Sequence, residues 1–252
     1  MTHSTALAEP LVETEAASPD IVRMSGVRFV WPGRNAFSLV IEDFALERGE
    51  RLFLVGPSGS GKSTFLSLLA GIATPQDGVI EVLGADIAKL SGAARDRFRA
   101  EHYGIIFQMF NLLPYGSVID NVVLPLSFSR KRRARAEAEG GVHREAARLL
   151  ETLGLEKTVI ENTSAANLSV GQQQRVAAAR ALIGAPELII ADEPTSSLDR
   201  SRQQAFLDLL FADIEAAGAT LVMVSHDESL SSRFTRVVNL TDIAKTSWTG
   251  ME

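Results

Sequence analysis

The sequence has no cysteine among its 252 residues, which excludes disulfide scaffolds, thiol catalysis and zinc sites built on cysteine. It also lacks any run near the roughly 18 consecutive apolar residues of a membrane-spanning helix, so we expect a protein that does not cross a membrane by itself. Neither sign of charge dominates, because 31 acidic residues face 25 basic ones. That balance excludes a strongly basic nucleic-acid-binding domain, and 46% hydrophobic residues indicate a globular chain.

The first 20 residues differ from the rest in charge. They contain Glu9, Glu13, Glu15 and Asp20 but no lysine or arginine, and no apolar block of signal-peptide length. These features exclude a secretory signal and a transit peptide. We predict a disordered leader over residues 1–20, which carries four of the six net negative charges and leaves a nearly neutral body.

Apolar and alternating patterns predict strands early in the chain and again near its end. The strands are expected at residues 21–31, 37–44, 51–55, 79–83, 103–107, 188–191 and 221–224. The turn formers at residues 32–35 predict that the first two strands are antiparallel. The later strands alternate with helices, which predicts a parallel sheet whose carboxyl edge carries the ligand chemistry.

Helical patterns separate these strands. Helices are expected at residues 63–70, 173–183 and 200–217. Residues 117–154 are rich in Ala, Arg and Glu at helical spacing, which predicts a helical insert. A chain of this length is one large domain or a core with an appended lobe, and the insert favours the second.

Residues 56–63, here called the phosphate loop, match G-x-x-x-x-G-K-[ST] between a predicted strand and a predicted helix. The match consists of Gly56, Pro57, Ser58, Gly59, Ser60, Gly61, Lys62 and Ser63. Glycines let successive backbone N–H groups point at a phosphate, and the helix start adds its positive end. Lys62 would neutralise charge on the β- and γ-phosphates, and the Ser63 hydroxyl would ligate Mg²⁺. The strand–loop–helix context disfavours the alternative, a glycine-rich structural turn.

Two more predicted strands end in residues suited to nucleotide hydrolysis. One leads into Asp192, which suits Mg²⁺, and Glu193, which is placed to polarise a water attacking the γ-phosphate. The other leads to His226, which is placed to contact the γ-phosphate. Each residue alone also fits a structural role, since such groups are common at strand ends.

Residues 168–172, here called the signature, read Leu-Ser-Val-Gly-Gln and precede the helix predicted at 173–183. With the signature added, the sequence resembles the nucleotide-binding subunits of ATP-binding cassette (ABC) transporters over about residues 21–240. The ordered motifs are the phosphate loop, Gln108 after a strand, the signature, Asp192-Glu193, the Ser-Leu-Asp of residues 197–199, and His226.

The resemblance implies an α/β fold, a P-loop NTPase of the ABC type with an antiparallel β subdomain and a helical subdomain. The implied ATPase domain spans residues 21–240, with the helical subdomain at about 109–170, here called the helical lobe. A C-terminal tail is expected at residues 241–252, which show no clear pattern and depart from the ending common in the family.

The resemblance further implies a head-to-tail sandwich of two cassettes, with ATP between the phosphate loop of one and the signature of the other. Ser169, Gly171 and Gln172 would then bind ATP from the second copy. A serine at a helix start is equally a helix cap. Val170 stands where the family more usually has glycine.

Other family motifs give the remaining implied roles. Gln108 falls at the Q-loop, which links Mg²⁺ and the attacking water to the helical lobe. The implied catalytic residues are Glu193, His226 and Gln108. The implied Mg²⁺ ligands are Ser63, Gln108 and Asp192.

Three residues complete the implied nucleotide contacts. Asp199 falls at the D-loop, which runs along the dimer interface. Trp31 falls near the aromatic residue that stacks on adenine, with Phe29 as a rival and a buried core aromatic as the alternative. Thr64, which follows the phosphate loop, is also assigned to the ATP site.

The family implies ATP and Mg²⁺ as cofactors, a homodimer or paired cassette, and a separate membrane permease driven from the cytoplasmic face of the inner membrane. Residues 107–114 and 117–122 resemble the macrolide-export and lipoprotein-release group. The alternatives are a cell-division or amino-acid-importer ATPase, a soluble cassette acting on ribosomes or DNA, and a P-loop metabolite kinase, which would lack the signature and His226.

The basic run at residues 130–135 invites a nucleic-acid or anionic-lipid interpretation. It opens a predicted helix, and Glu137, Glu139 and Glu145 dilute its charge. We therefore expect a solvated helix face and no nucleic-acid partner.

Overall fold

The computed structural model describes residues 20–33, 36–196 and 198–249. The leader predicted over residues 1–20 lies outside these ranges except for Asp20, which begins the first strand. The strands are β1 (Asp20–Val30), β2 (Ala36–Glu47), β3 (Arg51–Val55), β4 (Asp77–Val82), β5 (Ala85–Asp86), β6 (Tyr103–Ile106), β7 (Leu188–Asp192), β8 (Thr220–Val224), β9 (Arg236–Asn239) and β10 (Ala244–Thr249). The helices are α1 (Lys62–Leu69), α2 (Gly92–His102), α3 (Val118–Val123), α4 (Arg130–Ala138), α5 (Val142–Thr152), α6 (Lys157–Asn162), α7 (Val170–Leu182), α8 (Arg200–Ala216) and α9 (Leu240–Ile243). None of these helices is both long and apolar enough to span a membrane.

One sheet has the strand order β10-β2-β1-β4-β5, and its strand pairs are antiparallel. The antiparallel pairing predicted for the first two strands is confirmed. Buried residues such as Met24, Leu39 and Ile41 form its apolar face. Phe44 of β2 meets Phe65 of α1 edge to face, with 5.2 Å between ring centroids. This contact packs the sheet against the helix that follows the phosphate loop.

The other sheet has the order β6-β7-β8-β3-β9, and its neighbouring strands are parallel. β7 and β8 are buried almost throughout, as expected for strands covered on both faces. The phosphate loop follows β3, Gln108 follows β6, Glu193 follows β7 and His226 follows β8. Because parallel strands end at one edge, the topology gathers these groups there. The mixed α/β fold with a parallel and an antiparallel sheet is confirmed.

Arg132 fastens the helical lobe to the parallel sheet. It lies on α4, is 1% exposed, and donates from Nε to Ile183 O (2.9 Å) and from Nη1 to Tyr103 O (2.8 Å). These carbonyls belong to the end of α7 and the start of β6. The guanidinium therefore satisfies backbone acceptors that the fold buries.

The solvated face predicted for residues 130–135 is thus wrong at Arg132, which is a buried structural residue. Its neighbours have acidic partners outside the run, because Lys131 pairs with Glu101 and Arg135 with Glu187.

The C-terminal stretch differs from the tail expected at residues 241–252. Its described part completes α9 and forms β10, which pairs antiparallel with β2. Lys245, Thr246, Ser247 and Trp248 are exposed, and Ala244 is buried. Because this edge strand buries so little surface, its sequence shows no apolar alternation from which a strand could be predicted.

Candidate active site

A cavity of about 360 Å³, here called the nucleotide cavity, lies at the carboxyl edge of the parallel sheet and is bordered by the antiparallel sheet. Most of the residues predicted for a nucleotide site line it. They are Trp31, Ser58, Gly59, Gly61, Lys62, Ser63, Thr64, Gln108, Asp192, Glu193 and His226. Gly56 and Pro57 border an adjoining hollow, and Ser60 is buried within the loop. Phe37 and Trp248 also line the cavity, and neither was predicted.

The phosphate loop is shaped for close approach by a ligand. Gly61 has φ +98°, and a Cβ there would lie 2.7 Å from Phe37 Cζ, so only glycine fits without a shift. Gly61 is also the N-cap of α1, and no side chain in the described ranges caps that helix start. Ser60 Oγ is buried without a hydrogen bond in the described part of the chain. Uncapped N–H groups beside an unused hydroxyl match the needs of a phosphate chain.

Lys62 is held over the phosphate loop by the loop's own carbonyls. Its Nζ donates to Gly56 O at 2.7 Å and to Pro57 O at 3.0 Å. Burial lowers the pKa of Lys62, and the nearby Glu193 and Asp192 carboxylates act in the opposite direction. The ammonium is thus kept at the loop, where it can pair with phosphate oxygens.

Glu193 is placed by an unusual backbone turn at the end of β7. Its φ is +49°, and its N–H donates to Val224 O at 2.9 Å. His226 Nε2 lies 3.4 Å from Glu193 Oε1, which is buried without a hydrogen bond in the described ranges. Burial raises the pKa of Glu193, and His226 opposes that shift. A buried acceptor lacking a donor is suited to receive a water proton.

Asp192 and Gln108 bring oxygen atoms to the same cavity as Ser63. Burial raises the pKa of Asp192, while Lys62 and His226 lower it. A carboxylate, an amide and a hydroxyl are hard oxygen donors, the class that Mg²⁺ prefers. The donor set therefore fits the predicted metal.

The loop that carries Gln108 is tied to the signature helix. Phe110 and Asn111 follow Gln108 with φ of +56° and +50°. Arg180 of α7 donates to the carbonyls of both, at 2.8 Å to Asn111 O. A shift of α7 would therefore move the loop that carries Gln108.

Trp31 lies at the cavity mouth and is 42% exposed. Its Nε1 donates to Thr64 Oγ1 at 3.0 Å, so the Thr64 hydroxyl holds the indole in place. Phe29, the predicted rival, is 5% exposed and meets Trp31 edge to face at 4.8 Å. The structure thus places Trp31, and not Phe29, at the cavity.

The signature residues are not brought into the nucleotide cavity of their own chain. Ser169 is the exposed N-cap of α7 in a capping box: Gln172 N donates to Ser169 Oγ at 3.4 Å, and Ser169 N to Gln172 Oε1 at 2.9 Å. A Cβ on Gly171 would meet no described atom closer than 3.8 Å. Both predicted roles of Ser169 are therefore compatible, since a hydroxyl that accepts in a cap keeps a proton to donate.

Asp199 is the N-cap of α8, accepting from Arg202 N at 3.0 Å, and is also outside the nucleotide cavity. Ser197 of the same motif lies outside the described residues. Sequence reasoning missed Gln174, which is buried and donates from Nε2 to Pro194 O at 2.6 Å. This bond joins the signature helix to the loop that carries Glu193, and the run of three glutamines at residues 172–174 was the only signal for it.

Comparison with known proteins agrees with this geometry. The ABC transporter family model matches residues 41–196. The lipoprotein-releasing system ATP-binding protein LolD of Anaeromyxobacter dehalogenans is 40% identical over 238 residues, 94% of each chain. The ABC transporter ATP-binding protein YbbA of Escherichia coli is 41% identical over 198 residues, 79% of this chain and 83% of that protein.

A further relative and a solved structure extend the comparison. The macrolide export ATP-binding/permease protein MacB of Rhodopirellula baltica is 39% identical over 197 residues, 78% of this chain and 28% of MacB. The dimeric structure of the ATP-binding cassette MJ0796, in a post-hydrolysis state bound to ADP and Pi, has a TM-score of 0.75 and 32% identity, covering 86% of this chain and 93% of that one. The predicted family and group are confirmed, and ATP binding belongs to that family. This chain therefore belongs to the ABC transporter family, as an ATP-binding subunit and ATPase of the group that includes LolD and MacB.

Proposed function

We propose that two copies of this chain close head to tail around two Mg²⁺-ATP molecules, and that hydrolysis reopens them and moves a separate permease. The observation that carries the proposal is the separation of two phosphate-binding elements. The phosphate loop lines the nucleotide cavity, whereas Ser169 stands exposed at another helix start. A second copy is the natural source of the missing signature, and the MJ0796 cassette is described as a dimer.

In this proposal each group at the cavity has one task. The phosphate loop and Lys62 bind the phosphates, and Trp31 stacks on the base. Ser63, Gln108 and Asp192 would hold Mg²⁺, which when bound neutralises charge on the transferred phosphoryl group. Asp199 would run along the interface toward the second site.

Glu193 is the proposed general base. Its buried Oε1 would take a proton from the water that attacks the γ-phosphate, while His226 orients the carboxylate from 3.4 Å. A pKa raised by burial favours this role, because a stronger base removes the water proton more readily.

We further propose that the permease docks beside Gln108, in a groove of about 610 Å³ between α2 and the helical lobe. Phe107 and Phe128 line it with large exposed rings, and Arg97 and Arg99 border it. The groove continues from the loop that holds Gln108, so an inserted permease segment would be coupled to the cavity. The relatives named above favour a lipoprotein-release or macrolide-export permease and a place at the cytoplasmic face of the inner membrane.

Substitution of Glu193 tests the catalytic proposal. Glu193→Gln should bind ATP, accumulate as an ATP-dependent dimer, and hydrolyse roughly 10²–10⁴-fold more slowly, because the general base is lost. Phosphate release and light scattering with and without ATP measure the two effects. Glu161→Gln, at an exposed position on α6, is the matched control and should behave as wild type.

Two results would contradict the proposal. Near-normal turnover in Glu193→Gln would remove Glu193 from the role of base, and a monomer at saturating ATP would remove the sandwich.

For the partner, purification in detergent should recover a stoichiometric integral membrane protein. Recovery only with ribosomes or DNA would overturn the transport assignment.

A further inference from the structure

Three aromatic residues lie side by side at the mouth of the nucleotide cavity: Trp31 directly after β1, Phe37 on β2 and Trp248 on β10. Trp31 N donates to Phe37 O at 2.9 Å, next to the β1–β2 ladder, and Phe37 is paired with Trp248 between β2 and β10. Directly paired residues of an antiparallel sheet point to the same face. All three line the cavity, so that face is turned toward the nucleotide.

Phe37 links this aromatic row to the phosphate loop. It is 5% exposed, and its Cζ lies 2.7 Å from the place where a Cβ of Gly61 would stand. Trp248 meets Phe37 edge to face, with 5.0 Å between centroids and 62° between planes. The order from the loop outward is therefore Gly61, Phe37, Trp248. A nucleotide whose phosphates lie at the loop would place its base elsewhere in the same cavity, which Phe37 and Trp248 also line.

Trp248 is 48% exposed at this position, close to the 42% of Trp31. An indole whose only role is to hold an edge strand is expected to be buried against its own sheet. The other described side chains of β10 that are exposed belong to Lys245, Thr246 and Ser247, none of them aromatic. Ring contacts in the described ranges join each indole to a phenylalanine rather than to the other indole. Two half-exposed indoles at one cavity mouth offer two π surfaces to a base.

We propose that Trp248 is a second base-contacting residue of the ATP site, so that the purine is held by Trp31 and Trp248 with Phe37 beneath them. The proposal rests on the nucleotide-binding part of the function above and is independent of dimer closure and of the permease. Because stacking strength grows with ring area, the site should prefer purine over pyrimidine nucleoside triphosphates.

The sequence allows a direct optical test, because Trp31 and Trp248 are its two tryptophans. In Trp31→Phe, which keeps an aromatic ring at position 31, all indole emission comes from Trp248. ATP should change that emission with the same midpoint that equilibrium dialysis of labelled ATP gives. Inorganic tripolyphosphate, which has the phosphates but no base, should leave the emission unchanged. Equal responses to both, or no response to bound ATP, would overturn the proposal.

An affinity measurement repeats the test with Trp31 intact. Trp248→Ala should raise the Kd for ATP, and the KM for hydrolysis, by roughly 5- to 150-fold with kcat unchanged, the range expected for one lost base stack. Trp248→Phe, which keeps a ring for stacking on the base, should recover most of the affinity.

Lys245→Ala is the matched control, because Lys245 lies on β10 with its side chain on the opposite face and 83% exposed. Its Kd should equal that of wild type. A Kd for Trp248→Ala equal to wild type, with unchanged melting temperature, would overturn the role of Trp248 while leaving ATP binding intact. Failure of the wild-type chain to bind ATP would instead contradict the proposed function itself.

Discussion

Gly61 and Gly171 both stand at the start of a helix, and their surroundings differ. A Cβ on Gly61 would lie 2.7 Å from Phe37 Cζ at a φ of +98°. A Cβ on Gly171 would meet Leu198 Cδ2 at 3.8 Å, an ordinary contact. The fold of the chain itself therefore requires glycine at position 61 and not at 171. Atoms of the same chain fill the space beside Gly61 of the phosphate loop, whereas the space beside Gly171 of the signature has room for a Cβ.

The helix starts repeat this contrast. α1 begins without a side-chain cap from the described part of the chain, which leaves its first N–H groups for a ligand. α7 begins with a capping box, so Ser169 and Gln172 hold that helix start in shape before any ligand arrives. The start of α1 therefore offers uncapped N–H groups at its own cavity, whereas the start of α7 is exposed and held in shape by its own side chains.

The largest expected effect on this contrast comes from replacing Gly61 with alanine. Gly61→Ala should lower the free energy of unfolding by roughly 1–3 kcal/mol, because of the left-handed backbone and the Phe37 contact. If the strain is instead relieved by distortion of the loop, ATP affinity should fall by up to roughly 150-fold. Denaturant titration and calorimetric titration with ATP measure the two.

Gly171→Ala serves as the comparison. It should leave the free energy of unfolding unchanged or raise it by up to about 1 kcal/mol, since alanine is the better helix former. ATP binding by the single chain should also be unchanged, while ATP-dependent dimerisation weakens. Equal destabilisation by both substitutions would break the contrast.

A smaller effect separates the cap role of Ser169 from its ligand role. Ser169→Ala and Ser117→Ala each remove the serine of a capping box, at α7 and α3. Each should cost about 1 kcal/mol of stability. Only Ser169→Ala should also slow ATP turnover, by roughly tenfold, because a hydroxyl bond to an anionic phosphate is lost. Steady-state ATPase assays and thermal unfolding of the pair would show it, and equal turnover in both variants would assign Ser169 to the cap alone.

The smallest expected effect concerns the support of Trp31. Thr64→Val removes the acceptor for Trp31 Nε1 at nearly constant volume. It should weaken ATP binding by a few-fold, in keeping with about 1 kcal/mol for one hydrogen bond. Thr64→Ser should restore the affinity. An unchanged Kd in Thr64→Val would show that the indole is held by its Phe29 contact instead.

Sequence reasoning succeeded where the signal was local. β3, β7 and β8 are short buried apolar runs, and the groups after them were predicted because strand and motif adjoin in the sequence. α2 was missed because none of its residues is buried, so it has no apolar stripe. β9 was missed because it is four residues long and begins with arginine.

Trp248 escaped prediction because its place depends on strand pairing between distant parts of the chain. It reaches the cavity because β10 adds to the edge of β2, which carries Phe37. Arg132 was misjudged for a similar reason, since its carbonyl acceptors come from residues 103 and 183. No pattern within residues 130–135 or 244–249 encodes these partners.

Glu193 combines two locally unfavourable features, a left-handed backbone at φ +49° and a buried carboxylate oxygen that has no hydrogen bond among the described residues. Strained backbone of this kind costs roughly 1–3 kcal/mol, and an unsatisfied buried acceptor adds to it. Replacing this residue should therefore raise thermal stability, and it should lower ATP turnover because Glu193 is the proposed general base. Selection for thermal tolerance alone should drive this ATPase toward an inert binding protein, so any such screen needs activity as a second criterion.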